Sequence, residues 1–592
     1  MTSSSGARGA APGRVRALGV ATGLITAFVA LAVAQLVAGI TGPQGSPVVA
    51  VGGAAIDATP APLKNFAISA FGSNDKRVLV AGILVVLAVF AALIGVAAMR
   101  RLGYGLAGLG VFTLIGLVAV ATRPGHSAIN AVPVLVGAAA GAFAMTRLVR
   151  AATEQAASAS LVPPTAGGTP AVPGQPDRAQ PVAGPGVPTA DGPAPTAVGT
   201  APASRAASNP ADAGAPEPAG ASWVPSGPPA ASAAPAQQGR RAFLITGSVA
   251  VGVGAASLLV GQRLAGPSSA VAQARTTLRL PRPAQPAPLL PAGSDLGIPG
   301  LSPFITPNGA FYRVDTAIIL PEIDPATWQL RIHGMVAREI TITFADLLRR
   351  PLIEDYITLC CVSNPVAGPY IGNAKWLGAS LASLLRSAGI RSGASQLLCT
   401  SSDGFTSGTP VQTVMDGRDA LLAVAMNGTP LPVAHGFPAR MVVPGLYGYV
   451  SACKWVTDIN VTTFADAQGY WVPRGWSQQA PIKTESRIDV PNGSATLTAG
   501  RTQVAGVAWA QHKGIDAVEV RVDHGPWHRA RLAAVPGIDT WRQWVWDWDA
   551  TPGSHVIEAR ATDATGFTQT AVQAPPEPNG ASGYPNVSVT VQ

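Results

Sequence analysis

Long apolar runs separated by short polar stretches dominate the first part of the chain. Four runs lie at residues 17–40, 78–99, 103–122 and 129–147, and a fifth lies at 243–261. Each is close to the roughly 20 apolar residues that cross a bilayer as a single helix. The pattern predicts five transmembrane helices, four of them in an α-helical bundle within residues 1–150.

Basic residues beside these runs predict how the chain is oriented. Arginines precede the first run, separate the second from the third and follow the fourth: Arg14, Arg16, Arg100, Arg101, Arg147 and Arg150. Because basic residues collect on the cytoplasmic side, both ends of the four-span unit are expected in the cytoplasm. The fifth run then carries the rest of the chain across. We therefore expect a multi-pass protein of the cell membrane with residues from 266 onward outside the cytoplasm.

The segment between the fourth and fifth runs has a different composition. Residues 151–239 are almost entirely Ala, Pro, Gly, Ser, Thr and Val. Such a segment has too few large apolar groups to offset the entropy cost of folding, which predicts a disordered linker.

The segment at 240–265, which contains the fifth run, permits two interpretations. Arg240 and Arg241 followed by Phe-Leu and a moderately apolar stretch resemble a twin-arginine export signal. An ordinary fifth span with basic residues on its cytoplasmic side is the alternative. The first interpretation also predicts that the domain folds before export, as a protein with a tightly bound cofactor requires.

Beyond a second expected linker at 266–297, the pattern becomes that of a globular α+β domain at 298–475. Short strands and turns are predicted within 309–334, and "YITLCC", residues 356–361, is typical of a strand. The stretch "LGASLASLLRSAG", residues 377–389, has the spacing of an amphipathic helix.

The last part of the chain changes to strands alone. Several short apolar stretches after residue 490 are separated by turn sequences such as "DHGPW" and "TPGSH". Trp544, Trp546 and Trp548 alternate with polar residues and should share one face of a strand. Residues 476–592 are therefore predicted to form an immunoglobulin-like β-sandwich.

Composition and charge exclude several classes of function. The chain is 48% hydrophobic and only 12% charged, and its net charge of +9 comes from basic residues that lie singly or in pairs. Without a basic run interleaved with aromatics, no nucleic acid partner is expected. His126, in a loop, is the single histidine near a span, and CxxCH is absent, so no haem is evident.

Two adjacent cysteines stand out in a chain that contains only four. Cys360 and Cys361 are unsuited to a disulfide, because neighbouring Cα atoms lie only about 3.8 Å apart. A strand points adjacent side chains to opposite faces, so at most one of the two reaches a pocket. Cys361, which opens into the following loop, is the better candidate for an exposed site thiol. Cys399 and Cys453, in apolar strands, are expected to be core thiols.

Further polar residues stand where predicted strands end in loops: Arg313, Asp403, His435, Arg440 and Lys454. Arginine binds anions through two parallel hydrogen bonds and lysine through a point charge. One anionic organic cofactor, together with a thiolate-bound metal, would use the whole set.

On these residues the chain resembles the sulfite oxidase family of molybdopterin enzymes over about 298–592. "TLCCVSN" is similar to the family's Thr-Leu-x-Cys-x-x-Asn, and "FYRVD", "MNGTPLPVAHGFPARMVVPG" and "SACKW" are similar to its cofactor-binding segments. The resemblance implies a molybdenum–molybdopterin cofactor with Cys361 as catalytic metal ligand. It implies these cofactor contacts, those of Ala452 and Cys453 through the backbone: Phe311, Tyr312, Arg313, Asp403, His435, Arg440, Ala452, Cys453 and Lys454.

The chain departs from the family pattern in two places. Pro365 and Val366 stand where sulfite oxidases carry arginine, and Trp476 stands at the family's substrate-pocket tyrosine, where we place a second catalytic residue. A dianion such as sulfite needs charge partners, so these departures leave the substrate open.

The resemblance implies an oxidoreductase that transfers an oxygen atom to or from a small substrate, and the predicted spans add that it is membrane-anchored and extracytoplasmic. A reductase of a sulfoxide or N-oxide, or a non-catalytic membrane-anchored binding protein, are the alternatives. The expected partners are the small-molecule substrate, the membrane, a separate electron carrier and a second copy bound through the C-terminal domain.

Overall fold

The N-terminal part consists of helices. The structure is a computed structural model that describes residues 12–42, 45–60, 63, 75–123, 127–160, 235–264 and 269–592. Its first helices are α1 (Pro12–Thr41), α2 (Pro47–Ala58), α3 (Asp75–Arg100), α4 (Leu102–Ala121), α5 (Val132–Ser160) and α6 (Pro235–Leu264). Among the described residues, five helices, all but α2, are long and apolar enough to cross a membrane. The five predicted helices are confirmed.

Helix α1 is the centre of this bundle and packs against α3, α5 and α6. Glycines make the closest approach: a Cβ on Gly23 of α1 or on Gly95 of α3 would collide with the backbone of the other helix. Small residues at such contacts let helix backbones pack closely where no hydrophobic effect drives association. The four-span unit, defined here as α1 to α5, is thus a packed body.

Two boundaries of the membrane region differ from the prediction. Helix α2 lies between the first two spans, where the pattern predicted only a loop. Helix α5 continues to Ser160, ten residues into the predicted linker, because Ala-rich sequence still favours helix there. The remainder of that linker, 161–234, lies outside the described residues, as do His126 and the expected disorder.

The segment 266–297, predicted as a linker, instead packs against the globular domain over its described residues. It begins with α7 (Ser269–Thr277), whose Arg275 donates hydrogen bonds to the backbone carbonyls of 430–431. Gln285 then pairs with Ile353 as an isolated bridge at a sheet edge. The backbone groups of this Pro-rich stretch therefore find partners in the domain, which a composition-based prediction could not anticipate.

The globular domain contains ten strands and four short helices. In chain order the strands are β1 (Gln329–Gly334), β2 (Ile340–Thr343), β3 (Leu352–Cys360), β4 (Ile371–Ser380), β5 (Gln396–Ser401), β6 (Thr406–Pro410), β7 (Leu421–Met426), β8 (Thr429–Pro430), β9 (Arg440–Val442) and β10 (Val456–Thr462). The helices are α8 (Phe344–Leu348), α9 (Leu381–Ala388), α10 (Val411–Met415) and α11 (Gly448–Ser451).

These strands form two sheets around one apolar core. One sheet has the order β3-β4-β7-β8, with β9 also paired to β7, and the other has the order β2-β1-β10-β5-β6. Leu330, Leu384 and Leu422 are fully buried between them. The predicted α+β class is confirmed for this domain.

Three predicted elements are wrong in detail. Residues 310–328 contain no strand, and residues 311–316 within this stretch line a cavity described below. Gly378 and Ala379 belong to β4, and α9 starts only after Ser380, whose hydroxyl caps the helix by accepting from Ser383 N. Cys453 lies in the loop before β10 and not in a strand.

The C-terminal region consists of two packed sheets. Its strands are β11 (Glu485–Val490), β12 (Thr496–Leu497), β13 (Gly500–Trp509), β14 (Ile515–Val522), β15 (His528–Arg529), β16 (Arg531–Leu532), β17 (Arg542–Ala550), β18 (Gly553–Asp563) and β19 (Asn586–Val591). The sheet orders are β11-β13-β17-β16 and β12-β19-β18-β14-β15. Trp544 and Trp548 are buried between the sheets with Trp546 packed beside them, as their alternation predicted. The finer immunoglobulin-like assignment stays a prediction.

The sandwich and the α+β domain are tightly joined. Trp541 is buried and donates its indole N–H to Phe304 O at 2.9 Å, and its backbone N–H bonds to Thr358 Oγ1 at 2.7 Å. Since Thr358 lies in β3, the sandwich supports the strand that ends at the candidate site.

Candidate active site

One cavity of about 370 Å³ collects almost all of the predicted site residues. It lies where β3 ends, where β9 begins and where the turn between β5 and β6 approaches the loop before β10. Of the eleven residues named from the sequence, all but Cys453 line it. Residues far apart in the chain, such as Phe311 and Trp476, therefore meet at one place.

The adjacent cysteines point to different environments. Cys360 is fully buried in the apolar core, whereas Cys361 follows the last residue of β3 and lines the cavity. All four cysteines are free thiols, as the geometry argument predicted. Only Cys361 of the pair can thus meet a bound ligand.

The surroundings of Cys361 oppose its deprotonation less strongly than those of Cys360 do. Its Sγ lies 2.9 Å from Ser363 Oγ. Burial raises the pKa of the Cys361 thiol, but hydrogen bonds from Ser363 and the positive charge of Lys454 oppose that shift. Burial raises the pKa of Cys360 well above its ordinary value. A metal binds the deprotonated form, so Cys361 is the better ligand of the two.

A buried guanidinium without an acidic partner lies at the start of β9. Arg440 is only 5% exposed, and its Nη1 and Nη2 donate to the backbone carbonyls of His435 and Ala452 at 3.1 and 3.2 Å. Among the described residues, no carboxylate lies within ion-pair distance of it. Burial lowers the pKa of Arg440 to about 10. Burying an uncompensated cation is costly, which points to an anion bound beside it.

A second buried cation, Lys454, lies near Arg440. Its Nζ contacts Asp315 Oδ2 at 2.6 Å, yet burial still lowers the pKa of Lys454 to about 8. Gly436, at a φ of +109°, permits this crowding, because a Cβ there would lie 2.9 Å from Arg440 Cβ. Asp315 is shared with a third cation, Arg313, at 2.8 Å.

His435 is held neutral between these cations. Its Nε2 donates to Asn308 O at 3.1 Å, which leaves Nδ1 without the proton. Burial, together with the charges of Arg440 and Lys454, lowers the pKa of His435 to about 4. The imidazole therefore adds no charge near pH 7 and offers a hydrogen-bond acceptor.

Aromatic rings form two other parts of the lining. Phe311 stacks on Tyr312 with centroids 5.2 Å apart and meets His435 edge-on. Trp476 packs beside Tyr449 and Trp471, with centroids 6.0 and 6.1 Å away. The cavity is thus walled mostly by rings outside the cationic region.

The remaining predicted residues lie at the margin. Asp403 lines the cavity in the β5–β6 turn, where its carboxylate accepts hydrogen bonds from Thr316 Oγ1 and Phe405 N. Ala452 lines it and gives its carbonyl to Arg440. The side chain of Cys453 is buried in the core, and its carbonyl accepts from Met441 N, so it does not reach the cavity.

The membrane unit supplies residues that the sequence pattern did not indicate. Ile56 and Thr59 at the end of α2, Leu63 beyond it and Leu79 near the start of α3 line the same cavity. Asp315, Ser363 and Tyr449 were also missed. The positions of Asp315 and Ser363, beside the predicted site segments "FYR" and "CV", could have indicated that these two residues belong to the site. No local sequence signal indicates that residues of α2 line the cavity.

A polar chain joins the membrane unit to the globular domain. Tyr470 donates its hydroxyl to Asp57 Oδ1 at 2.8 Å, and Arg123 Nη1 donates to Asp57 Oδ2 at 3.1 Å. Asp57 closes α2 and Arg123 follows α4, while Tyr470 packs on Trp471 of the aromatic cluster. Tyr470, which makes the contact with the membrane unit, is thus the sequence neighbour of a residue that lines the cavity.

The residues present fit an anionic organic cofactor that brings its own metal. Three cations stand against two carboxylates around a cavity large enough for part of such a molecule. Among the described residues, no group of three His, Cys, Asp or Glu side chains could hold a metal. A single thiolate suits a metal whose other ligands come from the cofactor.

Comparison with known proteins gives a consistent picture. The family described as "Oxidoreductase molybdopterin binding domain" matches residues 317–471. The sulfite oxidase of Gallus gallus is 30% identical over 297 residues, which cover 42% of this chain and 63% of that protein. The mitochondrial sulfite oxidase of Mus musculus is 29% identical over 292 residues, or 41% and 52% of the two chains. The chain thus spans between half and two thirds of the length of these relatives.

A bacterial relative is covered more fully. The uncharacterized oxidoreductase YuiH of Bacillus subtilis (strain 168) is 30% identical over 153 residues, which are 26% of this chain and 74% of that protein. Among solved structures, the sulfane dehydrogenase SoxCD from Paracoccus pantotrophus is similar at 24% identity and a TM-score of 0.42, covering 49% of this chain and 84% of that one. The predicted family is confirmed by the matched domain and the relatives, and the chain belongs to the sulfite oxidase family of molybdopterin-dependent oxidoreductases.

Proposed function

We propose that this protein is a membrane-anchored enzyme that transfers an oxygen atom to or from a small substrate outside the cytoplasm. The observation that carries the proposal is the pairing, in one cavity, of the thiol of Cys361 with the buried, acid-free guanidinium of Arg440. A molybdenum cofactor, when bound, supplies two-electron oxygen-atom transfer that no side chain can perform. The protein's part is to hold and orient it.

Each predicted residue has a definite part in that task. Cys361 gives its thiolate to the metal. Arg440 and Lys454, with Arg313 at the more exposed margin, neutralise the anionic group of the cofactor. His435 offers Nδ1 as an acceptor, while Nε2 stays bonded to Asn308 O. Because Arg440 is anchored to three backbone carbonyls, its charge is preorganised and needs no rearrangement on binding.

The substrate region of the cavity favours a neutral oxide over sulfite. Neither Pro365 nor Val366 lines the cavity, and the nearby Arg487 is paired with Asp489 at 2.6 Å and bonded to Gly368 O. Trp476 adds a ring where a phenol would add a hydroxyl. A sulfite dianion would be desolvated there without a dedicated partner, whereas a sulfoxide or N-oxide loses little hydration. Reduction of such an oxide is therefore our second candidate direction.

The path of the chain supports catalysis outside the cytoplasm. With both ends of the four-span unit inside, α1 ends and α3 begins on the outer side, where α4 also ends. Helix α6 then carries the chain to that same side. The contact between Tyr470 of the domain and Asp57 of α2 agrees with this arrangement, because both lie on the outer side. Arg240 and Arg241 would serve as export signal or as inner anchor.

Two partners complete the proposal. Electrons pass to or from a separate carrier, since no haem motif is present in the sequence. Residues 476–592, proposed as an immunoglobulin-like sandwich, would join two copies of the chain. A non-catalytic binding protein is less well supported, because it has no use for an unpaired buried cation beside a free thiol.

Metal analysis and a substrate panel test the proposal. The full chain, purified in detergent from a molybdate-replete host, should contain close to one molybdenum per chain. With an artificial electron donor it should reduce sulfoxides or N-oxides, or with an acceptor it should oxidise sulfite. Purified protein without molybdenum would end the enzyme proposal. Molybdenum without turnover of any oxide or of sulfite would leave the cofactor assignment and refute the reaction.

A further inference from the structure

We propose that the four-span unit is part of the substrate pocket, and that its apolar wall selects substrates with an apolar substituent beside the transferred oxygen. The apolar wall is defined here as Ile56, Leu63 and Leu79. This inference rests on the proposed oxygen-transfer function and adds what kind of molecule the pocket accepts. It also gives the four-span unit a role beyond anchoring.

The first argument is the position of the wall. Ile56, Leu63 and Leu79 line the same cavity as Cys361 and Trp476. They come from the end of α2, the segment after it and the first turns of α3, and among the described residues Thr59 is the one polar residue that the membrane unit adds. A substrate that reaches Cys361 must therefore share the cavity with three aliphatic side chains.

The second argument is that the wall is fixed in place. Asp57, next to Ile56 in the chain, is bonded on one side to Tyr470 and on the other to Arg123. The guanidinium of Arg123 fills the space that a side chain at Gly53 of α2 would occupy. Tyr470 is itself packed between Phe405 and Trp471, both of which line the cavity. These contacts therefore fix the position of helix α2 relative to the cavity.

The third argument concerns charge. Among the described residues, the cations that line the cavity are Arg313, Arg440 and Lys454, all from the globular domain, and the three residues of the apolar wall add none. A charged substituent placed against Ile56 would lose water and gain no partner from these residues. An aliphatic or aromatic substituent gains by burial against the wall and against Trp471. In such pockets each well-fitted apolar group is worth about a tenfold preference or more.

A series of oxides with growing substituents tests the wall. The full chain with its cofactor should be assayed in detergent with dimethyl sulfoxide, methyl phenyl sulfoxide and benzyl phenyl sulfoxide. We expect kcat/KM to rise along the series for the unaltered protein. Ile56→Ser should lower kcat/KM for the aryl sulfoxides about tenfold more than for dimethyl sulfoxide, and Leu79→Ser provides a second, independent variant.

Ile129→Ser is the matched control. Ile129 lies in the short turn at Ala128–Ala131, after α4, so that it is an isoleucine on the same outer side that does not line the cavity. Its substitution should leave the whole series unchanged. Equal losses for all sulfoxides in Ile56→Ser and Leu79→Ser, or no loss, would overturn the proposed wall.

A binding measurement separates this inference from the reaction itself. Trp471 and Trp476 line the cavity, so that methyl phenyl sulfide, an apolar molecule without the oxygen, should change their fluorescence on binding. We expect its dissociation constant to rise about tenfold in Ile56→Ser and to stay constant in Ile129→Ser, with equal molybdenum contents. If no oxide is turned over, this binding result still decides the wall. Failure of binding with intact turnover would refute the wall alone.

Discussion

The two sides of the candidate cavity are built in opposite ways. The cationic side, Arg313, Arg440 and Lys454 with neutral His435, belongs to one domain and is held by carboxylates and backbone carbonyls. The apolar wall, Ile56, Leu63 and Leu79, belongs to the membrane unit, which is hydrogen-bonded to that domain between Asp57 and Tyr470. A buried charge binds a specific anion, and substitution of either partner is costly. An apolar surface instead binds its ligands more tightly as the apolar area that they bury increases.

This contrast teaches where chemistry and selectivity reside. The cationic side fixes what is bound permanently, because a misplaced buried charge costs several kcal/mol, on the order of 3–5 when a partner is removed. At the apolar wall, the binding free energy can differ among substrates by about 1 kcal/mol per buried methylene. Substitutions on the two sides should therefore differ both in size and in kind.

The largest effect is expected at the metal ligand. Cys361→Ser should lower turnover by at least about 100-fold, because a serine hydroxyl stays protonated where the thiolate binds metal. Cys360→Ser, its neighbour in the core, should keep molybdenum and activity but lose about 1–3 kcal/mol of stability through a buried hydroxyl. Turnover, molybdenum EPR and thermal melting measure the pair. Full activity with an unchanged EPR signal in Cys361→Ser would reverse the assignment.

The next effect is expected at the buried guanidinium. Arg440→Gln removes the charge and leaves a shorter, neutral amide donor in its place, so that the bound anion loses its partner. Cofactor binding should weaken by about 2–5 kcal/mol, which appears as a reduced pterin and molybdenum content per chain.

Arg331→Gln is the control for that experiment. Arg331 forms an exposed ion pair with Glu339 at 2.8 Å, away from the cavity, and such solvent-screened pairs contribute little to stability. Its cofactor content should equal that of the unaltered chain. Equal losses in both variants would show that the charge of Arg440 acts on folding rather than on an anion.

The pH dependence of the free energy of unfolding gives a further test of the cationic side. Burial lowers the pKa of Lys454 to about 8 in the folded, cofactor-free protein, against about 10.4 for an exposed lysine. Between these values the unfolded chain binds more protons than the folded one, so the stability contributed at this residue rises with pH from about 8 to 10. Cofactor-free Lys454→Met should lack this rise, on the order of 1–3 kcal/mol, when thermal melting is compared across that range.

The bound cofactor should alter that profile in a defined direction. An anion beside Lys454 favours its charged form and raises its pKa, so the rise in stability should move to higher pH in the loaded protein. A profile that is identical with and without cofactor would place the anion elsewhere.

The smallest effect is expected where the two sides are joined. Tyr470→Phe and Asp57→Asn each weaken the hydrogen bond between domain and membrane unit, and their double-mutant cycle should give a coupling of about 0.5–1.5 kcal/mol. Thermal melting of the full chain measures it. No coupling would mean that the wall is held by packing alone.

The cationic side was predictable from the sequence because strand ends leave a local signal. Cys361 follows a β-branched strand, and His435 and Arg440 frame one short turn, so residue type and position together indicated an anion site. At Cys453 the resemblance implies a backbone contact, which stays a prediction, and the side chain is buried in the core against β5.

The apolar wall was not predictable, for a physical reason. Ile56 lies in a Gly- and Ala-rich stretch that resembles any membrane-proximal loop, and its meeting with Trp476 depends on how two separate bodies dock.

The order of elements along the chain has a consequence for biogenesis. The four-span unit precedes the domain, so ribosomes finish the wall before the residues that bind the cofactor exist. Under the proposed twin-arginine route, the domain would fold and bind its cofactor in the cytoplasm, while α2 already lies on the other side of the membrane. The domain with its cofactor would then cross the membrane before the apolar wall contacts its cavity, and the hydrogen bond between Tyr470 and Asp57 would form last. Export would then be the step that completes the enzyme.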